Sequence, residues 1–511
     1  MIARLFSVAF NGIEAVGVEV EVDVAQRGFA GTAVVGLPDT AVKESIERVR
    51  SAMQNSGYQF PRYKTVINLA PADLRKEGPL FDLPTAVGII IAGGEVVAEP
   101  SQTERYLVAG ELALDGRVRP IKGALSAALL ARERGFAGIM LPADNAREAA
   151  VVDGLEVIPV SLLTEAIGFL SGQLAIDPVT VDLDAVFADA SRYDTDFAEV
   201  RGQEIVKRAL IIACAGVHNV LMIGPPGSGK TMLAKRLPTI LPPLSLGESL
   251  ETTRIHSVAG ELSAGTALLA TRPVRTPHHS ASTPALVGGG TVPQAGEVSL
   301  AHHGVLFLDE FPEFTRHTLE SLRQPLEDGV VTIARAHTTV TFPASFMLVA
   351  AMNPCPCGYF TDPRKPCKCT APQIDKYLAR ISGPLIDRLD IHVEVPAVPF
   401  GELRSERDGT PSAAMREQVL AARDRQRARY GQESFITNGR MGPRQLRKHC
   451  KLDTAGELVL RQSMNELGLS ARAHDKVLRV ARTIADLADR ENIAAEHLAE
   501  AIHYRRLDRQ L

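Results

Sequence analysis

Long apolar runs are absent from this chain of 511 residues. The longest apolar stretch, residues 83–97, is interrupted by three glycines and falls short of the about 20 residues that a membrane-spanning helix needs. Residues 1–5 do not open a charged region followed by an apolar stretch and a cleavage site, so no secretion signal is indicated. We therefore expect a cytoplasmic protein that does not enter a membrane.

Cysteine is scarce, and positive charge is not in excess. The six cysteines are not expected to form disulfides in the cytoplasm. A net charge of −4 argues against a wholesale polycation, so any contact with nucleic acid must come from local patches. Residues 401–511 carry 21 Lys and Arg against 16 Asp and Glu, which indicates either a basic surface or an ordinary solvated helical face.

A glycine-rich segment follows the apolar run of residues 220–223 and fits the Walker A pattern G-x-x-x-x-G-K-[ST]. Its glycines let the backbone curl so that successive N–H groups surround phosphate oxygens. The lysine supplies charge for the outer phosphates, the threonine hydroxyl can hold Mg²⁺, and the following helix directs its N-terminus at the anion. We predict an ATP and Mg²⁺ site at Gly224, Pro225, Pro226, Gly227, Ser228, Gly229, Lys230 and Thr231.

Two further strand ends complete the expected site. The apolar run of residues 305–308 ends at Asp309 and Glu310, the Walker B pattern. Asp309 is predicted to hold Mg²⁺, often through water, and Glu310 to activate the attacking water as general base. A third apolar run, residues 346–351, is followed by Asn353, which we expect to orient that water as a sensor 1 residue.

Arginines near the last core strand predict catalysis between subunits. Arg388 precedes the strand expected at residues 391–395 and is favoured over Arg380 as the residue that reaches a neighbour's γ-phosphate. The alternative is that Arg388 has only a structural role, in a salt bridge to Asp387 or Asp390. Arg472, at the start of a helix capped by Ser470, is the expected sensor 2. These elements together are typical of an AAA+ motor, so a homo-hexameric ring is implied.

The stretch that leads into Walker B carries a family resemblance. Residues 272–280, 285–290 and 296–302, with the rest of the chain, resemble the Mg-chelatase-like AAA+ ATPases of bacteria. The resemblance implies a hexameric helicase that drives branch migration in recombination or natural transformation. It also implies that the insert between the Walker segments and a hairpin at residues 330–342, with Arg335, Ala336 and His337 near its tip, project into the pore.

The composition of the insert indicates DNA rather than polypeptide as the cargo. Residues 232–306 contain no Phe, Tyr or Trp, whereas protein-unfolding rings usually grip their cargo with an aromatic pore residue. The same absence argues against base stacking and leaves phosphate contacts by Arg, Lys and backbone N–H groups. We expect binding to single-stranded or branched DNA that is not sequence-specific and is strongly salt-dependent.

The N-terminal region resembles the protease domain of Lon without its catalytic residues. Gly78 and Pro79 are followed by Leu80 where the Lon-like pattern would place its serine, and Leu125 takes the place of the lysine. An aliphatic side chain can neither attack a carbonyl nor move a proton, and Lys122 nearby has no serine partner. We expect a non-catalytic scaffold.

Pattern changes along the chain predict its organisation and an α/β fold class. We assign residues 1–170 to a Lon-protease-like (ribosomal S5 domain 2-like) α/β module and residues 171–195 to a linker. Residues 196–400 form an AAA+ P-loop α/β core with the pore insert, the hairpin and a four-cysteine knuckle. Residues 401–511, where helical patterns dominate, form a helical lid with sensor 2.

Four of the cysteines fall in two close pairs, Cys355, Cys357, Cys367 and Cys369. This spacing suits a structural Zn²⁺ site, although reduced free thiols and redox pairing remain alternatives. Cys214 and Cys450 are isolated and are expected to be buried apolar residues. For the histidine pairs 278–279 and 302–303, hydrogen-bonding and structural roles are preferred to a metal site.

Two other functions have to be weighed against the DNA motor. One is a chelatase-type remodeller that acts on a protein or tetrapyrrole-insertion partner; the fused N-terminal module disfavours it, because the chelatase motor subunit is expected to lack that module. The other is an ATP-dependent protease, which the side chains at Leu80 and Leu125 disfavour.

Overall fold

The structure is a computed structural model that describes residues 2–27, 29–190, 193–335, 339–360, 362, 365–399, 408–431, 436–467 and 470–505. The chain folds into two compact units. The first unit contains residues 1–189 and 246–269, and the second contains residues 190–245 and 270–511. Residues 246–269, which the sequence analysis included in the core, therefore pack with the first unit.

The β-strands share two main sheets and two short hairpins. In chain order they are β1 (Ile2–Asn11), β2 (Glu14–Val24), β3 (Thr32–Val35), β4 (Thr65–Ala70), β5 (Tyr106–Val108), β6 (Glu111–Leu112), β7 (Val118–Arg119), β8 (Gly138–Pro142), β9 (Glu156–Val160), β10 (Val220–Ile223), β11 (Val274–Arg275), β12 (Val305–Leu308), β13 (Val330–Ala334), β14 (Thr339–Pro343), β15 (Met347–Met352) and β16 (Ile391–Glu394).

The α-helices lie against these sheets or follow them in the C-terminal region. In chain order they are α1 (Thr40–Asn55), α2 (Asp82–Ala92), α3 (Pro100–Thr103), α4 (Ala124–Glu133), α5 (Ala143–Ala149), α6 (Leu163–Leu170), α7 (Leu183–Ala190), α8 (Glu204–Gly216), α9 (Lys230–Arg236), α10 (Leu246–Ala259), α11 (Thr283–Val287), α12 (Glu297–Leu300), α13 (Arg316–Ser321), α14 (Arg323–Asp328), α15 (Ala371–Leu378), α16 (Gly383–Ile386), α17 (Ser412–Tyr430), α18 (Pro443–His449), α19 (Thr454–Leu467), α20 (Ala471–Leu487) and α21 (Ala495–His503). Short 3₁₀ turns lie at Pro79–Phe81, Phe197–Glu199, Leu237–Thr239, Phe311–Glu313 and Asn438–Arg440.

The first unit is built on a mixed seven-stranded sheet in the order β3-β4-β2-β1-β5-β8-β9. Strands β1 and β2 form a long antiparallel hairpin that turns between Asn11 and Glu14, as the Asn-Gly pair predicts. The alternating valines of β2 all point into the core. One face of α1, with the predicted residues Val42, Ile46, Val49 and Met53, is buried on the same core.

Helix α10 is an insertion into the first unit from a distant part of the sequence. The buried Glu148 carboxylate accepts hydrogen bonds from the Ser257 hydroxyl of α10 and, at 2.8 Å, from the Leu125 N–H of α4. Burial raises the pKa of Glu148, while these donors oppose the shift. Arg254 of α10 also donates to the Ile13 carbonyl at 3.3 Å. The inserted helix is thus held by specific polar contacts.

The second unit contains a parallel five-stranded sheet in the order β11-β12-β15-β10-β16. The chain starts at β10, crosses to the far edge at β11, returns through β12 and β15, and ends beyond β10 at β16. The strand order therefore reverses at β10, and open α/β sheets bind ligands at the carboxyl ends of the strands beside such a switch point. The mixed α/β architecture with a parallel sheet agrees with the predicted fold class.

Candidate nucleotide-binding site

The Walker A segment closes around its own lysine. Buried β10 ends at Ile223, and Gly224 packs so closely on the backbone that an added Cβ would lie 2.2 Å from the Val395 oxygen. Gly227 and Gly229 adopt left-handed φ angles of 75° and 90°. The Lys230 ammonium donates to the carbonyls of Gly224 at 2.7 Å and of Pro225 at 3.0 Å. Burial lowers its pKa, an effect that Asp309 opposes.

The Walker B carboxylates lie beside this loop. The Thr231 hydroxyl donates to Asp309 Oδ2 at 2.6 Å, so the two predicted Mg²⁺ ligands are adjacent. Glu310 has a left-handed backbone with φ 51°, which an L-residue adopts only at a cost. Its side chain is exposed and meets His279 Nδ1 at 3.0 Å from Oε2. The Thr231 hydroxyl and the carboxylates of Asp309 and Glu310 thus lie at the same edge of the sheet.

The third strand end adds an amide to the same cluster. Asn353 follows β15, and its Oδ1 accepts from Lys230 at 3.2 Å. A few residues later Gly358 approaches the Walker A loop: with φ 84° it sits so that an added Cβ would lie 2.5 Å from Pro226 Cδ. The start of the cysteine segment therefore packs directly on the loop.

The four paired cysteines come together. The Sγ atoms of Cys355, Cys357 and Cys367 are 3.4 to 3.7 Å apart, and the Sγ of Cys369 lies within 4.8 Å of the others. Sulfurs of a tetrahedral zinc site, with Zn–S bonds of about 2.3 Å, are about 3.8 Å apart, so this donor set fits Zn²⁺. Cys214 and Cys450 are buried and separate from this cluster, as predicted.

Arg388 and Arg472 lie at the opposite edge of the sheet. Arg388 comes just before β16, and its main-chain oxygen accepts from Asn219, the residue before β10, at 3.0 Å. Because the strands are parallel, the amino ends of β10 and β16 share one edge, and four residues of strand separate it from the Walker A loop by about 13 Å. Neither arginine therefore shares the edge at which its own chain's Walker residues gather.

The two arginines line a common cavity of about 390 Å³. Within the described residues no member of its lining belongs to the Walker A segment; the lining includes Glu327, Asp387, Arg388, Arg472, Lys476 and Arg479. Arg388 forms its ion pair with Glu327, at 2.5 Å. The alternative prediction was a salt bridge from Arg388 to Asp387 or Asp390. Both arginines lower the pKa of the Glu327 carboxyl, with the hydrogen bond from Arg388 as the main cause.

A buried polar network sets the position of this cavity. Asp390 Oδ1 pairs with Lys476 of α20 at 2.7 Å, and Asp390 Oδ2 accepts from the Asn219 N–H at 2.9 Å. Burial opposes ionisation of Asp390, but Lys476 outweighs it and lowers the pKa to about 2. Burial lowers the pKa of Lys476 to about 8, an effect that Asp390 opposes. The pair joins the helix of Arg472 to the segment of Arg388.

Arg380, the less favoured arginine, occupies another position. Its guanidinium pairs with Glu313 at 2.6 Å, and the same NH1 donates to the Pro312 carbonyl. It is absent from the cavity of Arg388 and Arg472.

The structure also places the other residues that the sequence singled out. Arg335, next to β13 of the hairpin, donates to the Gly290 carbonyl at 3.1 Å, while Ala336 and His337 lie outside the described residues. In the first unit Leu125 is fully buried, and Lys122 donates to the Ala259 carbonyl at 3.2 Å. The Ser470 hydroxyl caps α20 as predicted, accepting from the Ala473 N–H at 3.1 Å.

Sequence reasoning missed several residues that shape the site. Gln203, with a left-handed φ of 56°, donates to the carbonyls of Ser228 and Pro396 and so fastens the Walker A loop. Asn219, directly before β10, forms hydrogen bonds to the segment before β16 and to β15. Its place before β10 is the only feature of the sequence that could have indicated this role. Glu327 and Lys476 carry no local pattern, because their partners are distant in the chain.

Comparison with known proteins identifies relatives along the whole chain. A family model described as magnesium chelatase, subunit ChlI, matches residues 196–403; one described as subunit ChlI of Mg-chelatase matches residues 20–145; one for the C-terminal part of subunit ChlI matches residues 409–505. The chain is 43% identical over 513 residues to competence protein ComM of Haemophilus influenzae, which covers 100% of this chain and 98% of that protein. It is 44% identical to the uncharacterized protein YifB of Salmonella typhimurium over 98% of this chain and 96% of that protein. It is 41% identical to the uncharacterized protein Rv2897c of Mycobacterium tuberculosis over 99% and 98%.

Among the described residues, no helix combines the length and the apolar character that crossing a membrane would require.

Proposed function

This chain belongs to the magnesium-chelatase-like family of AAA+ ATPases that includes ComM, and from this premise we propose that it is an ATP-driven hexameric ring that moves on DNA and promotes branch migration or unwinding. The observation that carries the proposal is the separation of the two halves of the site. The Walker residues gather at one edge of the parallel sheet, and the arginines that should complete the reaction gather at the other.

In this proposal each side chain of the Walker edge has a defined role. Backbone N–H groups of residues 224–229 and Lys230 bind the phosphates of ATP. Thr231 and Asp309 hold Mg²⁺, which neutralises charge on the phosphates. Glu310 accepts the proton of the attacking water, and Asn353 orients that water.

Arg388 and Arg472 act together on the nucleotide of the neighbouring subunit. Their shared cavity and shared counter-ion Glu327 favour a single destination for both guanidinium groups. An arginine stabilises the charge that develops on the transferring phosphoryl group. A closed ring supplies every site with this pair, since each subunit faces the next in a head-to-tail contact.

The cargo is DNA, held by its phosphates. The segment 276–296, which follows β11, contains no Lys, Arg, Asp or Glu, so its own contribution is made through backbone N–H groups and uncharged side-chain donors. The exposed Arg335 of the hairpin offers a cation beside it. Contacts of this kind read no sequence and weaken as salt rises. The name of the ComM relative, a competence protein, points to the same process.

A strand-exchange assay on a synthetic four-way junction tests the proposal. With ATP and Mg²⁺ we expect the junction to be converted to products, and with a non-hydrolysable ATP analogue or the Lys230→Ala variant we expect no conversion. Binding of the junction without ATP-dependent movement would reduce the protein to a DNA scaffold and reject the motor.

A chelatase-type remodeller is the second candidate, and the family models favour keeping it. The expectation that a chelatase motor subunit lacks the N-terminal module is wrong, because a model described as subunit ChlI of Mg-chelatase matches residues 20–145; the module therefore does not exclude a chelatase. ATPase rates measured with branched DNA and, separately, with a porphyrin-binding partner distinguish the two. Stimulation by the partner alone would favour the remodeller.

The four paired cysteines form a structural zinc site in this proposal, because their sulfur separations suit tetrahedral thiolate ligation. Metal analysis of the purified protein should give one zinc per chain. The double variant Cys367→Ser, Cys369→Ser should contain none. Retention of stoichiometric zinc by that variant would rule this site out.

The flanking regions take supporting roles. Residues 1–170 act as a Lon-protease-like, non-catalytic scaffold, and the buried Leu125 supports the loss of peptidase chemistry. Residues 171–195 connect it to the core of residues 196–400, and residues 401–511 act as the helical lid that carries Arg472. A peptide-cleavage assay with ATP should show no turnover.

A further inference from the structure

A strongly basic surface lies on and just after helix α18 of the second unit. Residues 434–452 contain no Asp or Glu and five Lys or Arg. Four of the five are exposed, and we call them the basic stripe: Arg444, Arg447, Lys448 and Lys451. Arg447 and Lys448 lie three and four positions beyond Arg444, so these three share one face of the helix. Lys451 follows directly after the helix ends.

The opposite face of α18 is anchored in the core of the second unit. Leu446 is buried there, with the residues of the sheet and of the neighbouring helices. The ring of His449 meets the ring of Tyr430 of α17 edge-on, with the centroids 5.7 Å apart. Before the helix, Arg440 donates to the main-chain oxygen of Phe346 at 2.7 Å. The basic stripe is therefore presented by a helix whose position is fixed by packing.

The cations of the basic stripe have no partners within the part of the chain that the structure describes. None of the four forms an ion pair or a side-chain hydrogen bond with a described residue. The next acid along the chain, Asp453, accepts from the Gly456 N–H at 2.7 Å, at the start of α19. Burial lowers the pKa of His449, and the charge of Lys448 lowers it further. An array of cations that is not neutralised by its own chain attracts a polyanion.

The surroundings of the basic stripe favour the backbone of duplex DNA as that polyanion. A helix that lies on a lipid surface inserts an apolar face, whereas Leu446 and Cys450 of α18 are buried in the protein. Single strands are usually held by stacking of their bases on aromatic side chains, and residues 440–452 contain no Phe, Tyr or Trp. Contacts to the phosphates of a duplex need only cations and other donors.

We propose that the basic stripe binds the phosphate backbone of double-stranded DNA, in addition to the contact proposed for the hairpin. This inference rests on the proposed function, and it names the part of the cargo that a second surface holds, a duplex arm of the junction. A helix rises about 1.5 Å per residue, so the basic stripe spans about 10 Å and matches about three phosphates of one strand, at about 3.4 Å each.

DNA binding by the full-length triple variant Arg444→Gln, Arg447→Gln, Lys448→Gln tests this inference. Fluorescence anisotropy of a labelled linear duplex, with a non-hydrolysable ATP analogue, gives the Kd at several salt concentrations. Each lost phosphate contact reduces the slope of log K against log salt by about 0.9, so the slope should be shallower by about 2.7 and the Kd at least about tenfold higher. The ATP turnover without DNA and the thermal midpoint should match wild type, because the three side chains are exposed and lie outside the Walker site.

A control variant removes the same charge from the second unit without touching the basic stripe. Lys376→Gln, Arg461→Gln, Arg490→Gln replaces three exposed cations on separate elements, which do not form an array along one helix face. This variant should bind the duplex as wild type does. An equal loss in both triple variants would be an effect of net charge alone and would overturn the inference. Wild-type Kd and salt slope in the α18 variant would overturn it as well.

Two further probes separate duplex DNA from other polyanions. The α18 variant should lose much less affinity for a single-stranded oligo-dT than for the duplex, and equal losses would refute the assignment to a duplex. Loss of binding to vesicles of phosphatidylcholine and phosphatidylserine, with duplex binding unchanged, would assign the basic stripe to a membrane surface instead.

Failure of the proposed function gives a different set of results. If wild type binds the duplex and the α18 variant does not, the basic stripe is supported even where no junction is moved with ATP. If wild type moves the junction and the α18 variant binds DNA equally well, the motor is supported and the basic stripe is rejected. If wild type binds no DNA, both are rejected.

Discussion

Glu310 has the properties that a general base of the proposed reaction requires. It follows a buried strand, its carboxylate is exposed at the sheet edge of the Walker residues, and its left-handed backbone is held in place although such a conformation is costly. Strained backbone at the carboxylate that directly follows Asp309, the partner of Thr231, is consistent with a group whose orientation matters more than its contribution to stability.

The Glu310→Gln substitution tests this residue. The amide fills the same space and cannot take a proton, so we expect turnover to fall by about 10² to 10⁴-fold while ATP still binds. Steady-state ATPase rates and binding of a fluorescent ATP analogue measure the two effects. Glu313→Gln, the same change three residues later at the partner of Arg380, is the control. Unchanged turnover in Glu310→Gln would refute the assigned base.

His218 predicts how stability depends on pH. It is fully buried, with Nε2 2.8 Å from the Thr483 hydroxyl, and burial lowers its pKa from 6.5 to about 4 although Asp390 opposes the shift. Between these pH values the unfolded chain binds a proton that the folded chain does not. Stability from this group is therefore complete above about pH 6.5 and is lost as the pH falls to 4, by on the order of 3 kcal/mol.

The His218→Gln variant isolates that effect. Its thermal midpoint should fall less than that of wild type between pH 7 and pH 4.5, and the exposed His503→Gln control should follow wild type. An equal fall in all three proteins would show that His218 does not contribute to the pH dependence.

Single residues were predictable where their neighbours in sequence define the chemistry. Lys230, Thr231 and Asp309 follow from local spacing, and the structure brings them together, with Thr231 bonded to Asp309 and Lys230 close enough for Asp309 to raise its pKa. Lys476 and Asp390 were not predictable as a pair, because 86 positions separate them and burial alone makes their pairing necessary. For His279 a hydrogen-bonding or structural role was predicted, but nothing near it in sequence indicates Glu310 as its partner.

Among the elements, the loop that begins at Cys355 contacts the Walker A loop, so its position bears on nucleotide binding. Gly358 meets the rigid ring of Pro226 at a distance that excludes a side chain, and its φ of 84° disfavours one as well. Local patterns predicted the strands and helices that flank the site, but not this contact between two loops. Packing between loops depends on the three-dimensional path of both, which no periodicity records.

The Gly358→Ala substitution should therefore weaken ATP binding. The added methyl group displaces Pro226 and deforms the Walker A loop, and we expect an increase in the Kd for ATP of about tenfold, equivalent to about 1.4 kcal/mol. Gly265→Ala is the matched control, since φ is 75° there and an added Cβ meets nothing within 4 Å. Equal ATP affinity in both variants would mean that the loop does not support the site.

Helix α10 shows a second limit of sequence reasoning at this scale. The stretch between the Walker segments was predicted to be part of the core, yet residues 246–269 pack in the first unit. The buried Glu148, which accepts from the two distant residues Leu125 and Ser257, specifies that packing. A discontinuous unit leaves no mark in the order of helices and strands, so only the tertiary structure reveals it.

For the whole molecule, the decisive question is whether one chain can complete its own site. Lys230 lies at the carboxyl edge of the parallel sheet, while Arg388 lies at the amino edge with Arg472. The strand length of about 13 Å between those edges exceeds the reach of an arginine, whose extended side chain spans about 7 Å, roughly two residues of strand. Hydrolysis should therefore require a neighbour.

Mixing two inactive variants tests this requirement. Lys230→Ala cannot hold ATP, and Arg388→Ala cannot complete the site of its neighbour, so each alone should be inactive. A complete site needs Lys230 from one subunit and Arg388 from its neighbour. In a randomly mixed ring with equal amounts of both variants, an Arg388→Ala subunit supplies the lysine and a neighbouring Lys230→Ala subunit supplies the arginine at about a quarter of the interfaces. The mixture should recover up to about a quarter of the wild-type ATPase rate, and the same holds for Arg472→Ala. If the arginines acted within their own chain, no combination of the two variants would contain a complete site, and the mixture would remain inactive.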